Sequence, residues 1–154
     1  MDKELLITLT QLRGVGVKTV CRILEALNSS GESLRDAEAL FTFLQKITVS
    51  RFKPPTVEAF NYALKQAYEI VSNSEVLGIK ILTVFDSSYP EALRRIEDYP
   101  SVLFLKGNVH LLNDVKSIAV VGSREVHERL AEDFDQILSG IENLPNPCIV
   151  SGLA

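Results

Sequence analysis

One feature limits the possible folds of this chain more than any other. It is an apolar segment that runs directly into a Gly-Ser-Arg turn and then into a polar helix. Ser117–Val121 has the character of a fully buried strand in a parallel sheet, and Glu125–Ile141 has that of a helix. Between them, Gly122 permits a tight turn, Ser123 is suited to cap the helix, and Arg124 adds a fixed charge. Such a helix start presents unpaired N–H groups, so the segment predicts a phosphate-binding turn. The same residues also fit an ordinary strand-to-helix turn that carries an arginine.

From Ser74 onward, apolar strand-like segments alternate with helical ones, and this alternation predicts a parallel sheet with helices on its faces. Ligands of such sheets bind outside the carboxyl ends of the strands. Ser151 and Gly152 follow the last predicted strand, so we expect them to form one pocket with the Gly122–Arg124 turn. The predicted strands are Ile79–Phe85, Val102–Leu105, Ser117–Val121 and Cys148–Val150, with short helical or turn elements at Tyr89–Ile96 and Leu111–Asn113.

Residues 1–73 show helical periodicity, and the composition changes near Ser72–Ser74, which predicts domains at 1–73 and 74–154. The first helical pair is interrupted by a glycine-rich turn, the pattern of a helix-hairpin-helix. Gly14 and Gly16 allow the tight turn, and Lys18 adds charge where the next helix begins. This turn is a possible second phosphate contact, although many such hairpins serve only packing or protein contact.

Composition limits the possible functions. The 154 residues carry 16 Lys/Arg and 20 Asp/Glu, a net charge of −4, so any nucleic-acid contact must be local. Residues 1–73 have a net charge of +1 and residues 74–154 one of −5. The acidic N-terminus and the lack of a long apolar run favour a cytoplasmic protein without membrane contact.

The chain offers little for catalysis or for metal binding. Its two histidines, His110 and His127, lack an assignable acid partner and nucleophile. Asp86 and Asp114 each end an apolar segment, where aspartate commonly forms a turn. The two cysteines are far apart in sequence, so neither a disulfide framework nor a zinc site is indicated. We therefore expect no catalytic residue, no metal and no cofactor.

Four blocks in order make the chain resemble the DNA-processing protein A family, also called DprA or Smf. The family domain normally continues beyond the last block, into a glycine, isoleucine and aspartate and then a histidine-bearing helix. The sequence departs from the family pattern at His127, Arg129 and Leu130, where relatives tend to have a hydroxyl residue and then tyrosine-glycine. The blocks are Tyr89–Leu93 with the Asp98–Pro100 turn, Val102–Asn108, the Gly-Ser-Arg strand, and Ser151–Ala154.

The resemblance implies an α/β fold, in which an N-terminal all-helical domain of helix-hairpin-helix (SAM-like) type precedes a truncated Rossmann-like parallel sheet. It implies single-stranded DNA as the ligand, a homodimer in the complete protein, and loading of the RecA recombinase during natural transformation. Tyr89, Pro90 and Lys106–Asn108 match family positions that we interpret as structural. The DNA phosphate contacts implied for this chain are Gly122, Ser123, Arg124, Ser151 and Gly152.

Two alternatives remain open at this point. One is a nucleotide-binding enzyme of the LOG phosphoribohydrolase type on a related fold, but its Pro-Gly-Gly-x-Gly-Thr run is absent from these residues. The other is a protein-interaction module that does not bind DNA, with the helix-hairpin-helix as its contact surface.

Overall fold

The computed structural model describes residues 1–113, 116–122, 133–134, 136, 139–141 and 147–152. These residues divide into two compact units, Met1–Gly107 and Asn108–Ala154. None of the helices that the described residues form combines the length and hydropathy needed to span a membrane. The assignment of domains at 1–73 and 74–154 stays a prediction, because a helix runs through Ser72–Ser74 and the units divide further on.

Four longer helices, a four-residue fifth helix and a strand pair form the first unit. Helix α1 is almost entirely buried, and α2 and α4 present amphipathic faces to it and to the rest of the core. Asp36 caps α3 by accepting a hydrogen bond from the Ala39 N–H at 2.8 Å, and Thr56 caps α4 in the same way. The longer helices are α1 (Lys3–Gln11), α2 (Val17–Ser30), α3 (Ala37–Lys46) and α4 (Val57–Val76).

One apolar core lies between these helices and the strand pair. Phe41 and Phe60 meet edge to face within it, with their ring centroids 5.2 Å apart. Tyr68, which the periodicity predicts on the buried face of α4, is 56% exposed, because that face instead follows Phe60, Ala63, Ala67 and Val71. The main core residues are Leu5, Leu6, Leu9, Leu12, Val20, Ile23, Leu24, Leu27, Leu34, Leu40, Phe43, Leu44, Phe60, Ala63, Val84 and Tyr89.

Helix α4 passes into strand β1 (Lys80–Thr83) through a tight C-terminal turn. The Ile79 N–H donates to the Ser74 carbonyl at 2.8 Å, and the Gly78 N–H donates to the Glu75 carbonyl at 3.2 Å. Gly78 has a φ of 65°, the left-handed conformation that this Schellman turn requires and that favours glycine. The turn therefore starts β1 directly from the end of α4.

Strand β2 (Val102–Leu105) lies where it was predicted but pairs with β1 antiparallel, with Ile81 opposite Phe104. The prediction that this pair is parallel is wrong. A parallel return needs a substantial crossover, usually a helix, and the connection holds only the four-residue helix α5 (Glu91–Arg94). The Val84 N–H also donates to the Ser101 carbonyl at 2.9 Å, which extends the hairpin ladder by one pair.

The connection between β1 and β2 is held together by Arg94 and Tyr89. The Arg94 guanidinium donates to the Val84 carbonyl and, at 2.7 Å, to the Asp86 carbonyl, while it lies 5.1 Å from the centre of the Tyr89 ring. The buried Tyr89 hydroxyl donates to the Pro100 carbonyl at 2.6 Å. These contacts give Tyr89 the structural role that the sequence predicts. They show that Arg94 has a structural role as well.

Asp86 closes the turn after β1. Its carboxylate accepts from the Thr83 N–H at 2.6 Å and from the Thr83 hydroxyl at 2.8 Å, which confirms its predicted role in a turn. The hydrogen bond from the Thr83 N–H lowers the pKa of Asp86 below its ordinary value, although partial burial opposes this effect. The ionised carboxylate is therefore the form that stabilises the turn.

The second unit contains a 3-10 helix (Val109–Leu112) and two strands, β3 (Lys116–Val120) and β4 (Pro147–Ser151). Asn108 caps the 3-10 helix through its side-chain oxygen, which accepts from the His110 N–H at 3.2 Å. The helix predicted over Glu125–Ile141 lies largely outside the described residues. Those of its residues that are described (133–134, 136 and 139–141) are helical, and Asp114 also lies outside.

Replacing Arg94 with alanine should lower the free energy of unfolding by about 2 kcal/mol, because two carbonyls lose a charged donor. Arg95→Ala is the matched control, since the Arg95 side chain is 77% exposed and its ion pair is with Glu91. We expect a change within about 0.5 kcal/mol for the control. Urea unfolding followed by circular dichroism measures both, and equal effects would contradict the role given to Arg94.

Acid should weaken the Asp86 turn. A group whose pKa is lower in the folded chain contributes stability above its unfolded pKa, about 3.9 for aspartate, and loses that contribution as the pH falls through its folded pKa. Asp86→Asn should therefore lose less stability than the parent chain between neutral and acidic pH. Glu97→Gln, at an exposed carboxylate, is the control. Parallel pH profiles of parent and Asp86→Asn would refute this account.

Candidate nucleic-acid interface

The described part of the predicted phosphate pocket lies at the ends of two paired strands. Strands β3 and β4 pair in parallel and in register, with Ile118 opposite Ile149 and Val120 opposite Ser151. The carboxyl ends of both strands therefore meet at the same edge of this sheet. Gly122 follows β3 by two residues and Gly152 follows β4 directly. Three of the five residues predicted to contact phosphate thus lie at one edge, and their contact with phosphate stays a prediction.

The surroundings of these glycines are open. A Cβ atom added to Gly122 or Gly152 would meet no atom of the described residues within 4 Å, and Ser151 is exposed. A ligand can therefore approach the backbone closely at this edge. Ser123 and Arg124, the predicted helix cap and the predicted fixed charge, lie outside the described residues.

The strand before Gly122 differs from the prediction in its burial. Ile118 and Val120 are half-buried, Ala119 is exposed, and Val121 is 88% exposed. The prediction of a fully buried strand is therefore wrong. A continuous apolar segment is buried only where elements cover both faces of its sheet, and among the described residues β3 pairs with β4 alone.

The helix-hairpin-helix turn has the geometry that its glycines predict. Gly14 has a φ of 81°, a conformation that a side chain would strain. Gly16 precedes α2 with an extended backbone and provides no side-chain cap, while its carbonyl accepts from the N–H groups of Thr19 and Val20. Lys18 is the second residue of α2 and is exposed. Gly14, Gly16 and Lys18 therefore come together at the start of one helix.

Two further cations lie near this turn, and the sequence reasoning missed both. Arg13 is exposed in the turn itself, and Arg22 is exposed one helical turn after Lys18. No described carboxylate forms an ion pair with Arg13, Lys18 or Arg22. Lys18 and Arg22 are four residues apart on the predicted helix, and this spacing is the sequence signal that places their two charges on one helix face.

The described residues show no metal site. They include no group of three or more His, Cys, Asp or Glu side chains arranged to hold a metal ion. Cys21 and Cys148 are both free, and the buried Cys21 thiol donates a weak hydrogen bond to the Tyr99 carbonyl at 3.5 Å. Burial raises the pKa of this thiol, so it is held as an unreactive core group.

Residues 80–154 match the family described as DNA recombination-mediator protein A. A curated relative, the DNA processing protein DprA of Streptococcus pneumoniae, is 43% identical over 72 residues, which are 47% of this chain and 24% of the relative. Residues 80–154 therefore match the DprA family, which confirms the predicted resemblance.

The X-ray structure of DprA from Streptococcus pneumoniae matches all of this chain, with a TM-score of 0.70 and 25% sequence identity. This match confirms the predicted fold class of helices followed by a small parallel sheet of Rossmann-like type. The matched family is one of recombination mediators, which agrees with the prediction of a chain that is not an enzyme. The chain spans 50% of the length of that solved structure.

Proposed function

We propose that this chain binds single-stranded DNA as part of a DprA recombination mediator. The parallel pairing of β3 and β4 is the observation that carries the proposal, since it brings the ends of both strands to one open edge. Backbone N–H groups of Gly122 and Gly152 and the hydroxyl of Ser151 would contact phosphate there. Ser123 would cap the following helix, and Arg124 would supply the positive charge.

Charge makes this site dependent on Arg124. Residues 108–154 contain three Lys/Arg and seven Asp/Glu, so their net charge of −4 repels a polyanion at long range. A phosphate can be held in such surroundings only by close hydrogen bonds and a local cation. The guanidinium of Arg124 has the planar geometry that fits two phosphate oxygens at once.

The turn at Gly14, Gly16 and Lys18 would form a second, weaker phosphate contact. Its support is the uncapped start of α2, together with three cations that pair with no described carboxylate, Arg13, Lys18 and Arg22. Contacts of this kind hold the DNA backbone and carry no base preference.

The activity of the complete protein is a further part of the proposal. We infer from the family match that it acts in the cytoplasm as a homodimer, protects incoming single-stranded DNA and loads RecA during natural transformation. Sedimentation of the complete protein tests the dimer. RecA loading is tested on single-stranded DNA that is already coated by a single-strand-binding protein. RecA filament formation on this DNA is measured with and without the complete DprA-like protein.

Arg124→Ala should weaken single-stranded DNA binding about tenfold or more, because a charge-assisted phosphate contact contributes roughly 1.5–3 kcal/mol. The loss should be similar for every base sequence, since phosphate contacts do not read bases. Arg124→Lys should recover only part of it, because lysine keeps the charge but not the planar fork. Fluorescence anisotropy of labelled oligonucleotides measures each affinity.

Arg95→Ala serves as the control for Arg124→Ala, because it removes an equal charge from a highly exposed position in the first unit. It should bind DNA like the parent chain. If Arg124→Ala folds normally and also binds like the parent, the sheet-edge site is wrong.

The second contact is tested by a variant that should stabilise the chain while weakening binding. Gly16→Ser supplies the missing cap of α2, and serine in place of a glycine cap stabilises a helix by about a few tenths of a kcal/mol. Its side chain would occupy an N–H group offered to phosphate, so DNA affinity should fall as stability rises. Lys18→Glu should weaken binding further and flatten its salt dependence by about one contact. Unchanged affinity in both variants would leave the turn a packing or protein-contact element.

A further inference from the structure

A groove of about 300 Å³ separates the helix-hairpin-helix turn from strand β2. Val15, Gly16 and Val17 line one side, and Val102 and Phe104 line the other. The Phe104 side chain is 50% exposed and that of Val17 is 49% exposed, so two apolar groups face solvent across the groove. The volume is at the lower end of the range for small-molecule sites and suits one flat ring system.

Ser101 gives this groove a polar group without a partner. The residue is only 5% exposed and lines the groove, yet its hydroxyl makes no hydrogen bond to any described residue. Among the described residues, no fully enclosed side-chain polar atom lacks a partner, so this hydroxyl is not completely enclosed by the protein. Buried hydroxyls are normally paired, and this one is placed to bond the polar edge of a ligand.

The charges around the groove favour an anionic ligand. None of the described residues that line it is acidic. Lys18 directly follows Val17 on α2, and Arg13 lies in the turn that contributes Val15 and Gly16. Both cations are exposed and neither forms an ion pair with a described carboxylate. An apolar wall beside unpaired cations is the arrangement by which proteins hold single strands, with bases stacked on aromatic rings and phosphates on basic groups.

We propose that this groove holds one nucleobase of single-stranded DNA. The base stacks on the Phe104 ring and its polar edge bonds the Ser101 hydroxyl. The adjoining phosphate lies toward Lys18 and the start of α2. This inference rests on the proposed function, but it places a base site in the first unit, apart from the residues of the sheet edge. An apolar protein segment fits less well, because it would form no hydrogen bond with the Ser101 hydroxyl and no ion pair with Arg13 or Lys18.

Phe104→Trp gives a direct signal for stacking, because the chain has no tryptophan of its own. Oligothymidine of about ten nucleotides should quench the fluorescence of the introduced indole as it binds. Phe85→Trp is the matched control, since Phe85 is 52% exposed and lies outside this groove. Its fluorescence should not change at oligonucleotide concentrations that saturate binding.

Affinity measurements separate the base contact from the phosphate contacts. Phe104→Ala should weaken oligothymidine binding about tenfold, the effect of one stacked base, and should leave its salt dependence unchanged. An abasic strand of the same length should bind parent and Phe104→Ala equally, because it keeps the phosphates and lacks the bases. Phe85→Ala should bind both strands like the parent. Ser101→Ala should weaken oligothymidine binding a few-fold without affecting the abasic strand.

The outcomes distinguish this inference from the proposed function. If oligothymidine binds the chain but neither quenches the indole of the Phe104→Trp variant nor discriminates between parent and Phe104→Ala, the base site is wrong while DNA binding stands. Quenching by an apolar peptide in that case would identify a protein segment as the occupant. If neither oligothymidine nor the abasic strand binds the complete protein, both proposals fall together.

Discussion

Burial of helix α1 is the constraint on which the first unit depends. Five consecutive residues, Leu5 to Leu9, are buried, so the helix is enclosed on every side rather than along one stripe. The one polar residue among them, Thr8, donates its hydroxyl hydrogen to the Glu4 carbonyl at 2.8 Å and so costs little to bury. Helix α1 contacts α2, α4, β1 and β2, and it therefore sets the positions of the turn before α2 and of the hairpin.

Arg94 and Tyr89 then hold the hairpin connection in one conformation. Tyr89 bonds the carbonyl of Pro100, next to Ser101, and Arg94 bonds the carbonyls that follow β1. The Ser101 carbonyl in turn accepts from the Val84 N–H, and Ser101 lines the groove. The groove between the turn and β2 thus lies within one unit whose hairpin connection these hydrogen bonds hold, and a preorganised site loses less conformational entropy when it binds a ligand.

The sequence predicts local features well where one residue type determines them. The limits of β2, the glycine turn at Gly14 and the turn role of Asp86 all follow from short-range chemistry. The direction of β2 does not, because its continuous apolar run is the pattern of a buried parallel strand, whereas β2 pairs with β1 antiparallel. Arg94 could not be assigned from its surroundings in sequence, since its acceptors are backbone carbonyls that the fold brings to it. The sequence also does not distinguish Phe104 from an ordinary strand residue, because the groove that it lines is formed only by the folded structure.

The two proposed contact regions differ in the net charge that surrounds them, so they attract or repel DNA differently. Residues 1–107 carry thirteen Lys/Arg and thirteen Asp/Glu, whereas residues 108–154 carry three and seven. A DNA strand therefore meets no net long-range repulsion from the first unit, where the unpaired cations of the turn can attract it locally. The second unit repels it until close contacts form, so short-range hydrogen bonds must supply the affinity there. Added salt weakens the attraction at the turn and also screens the repulsion from the acidic unit. Binding to the two regions should accordingly differ in salt dependence, with the steeper loss at the turn.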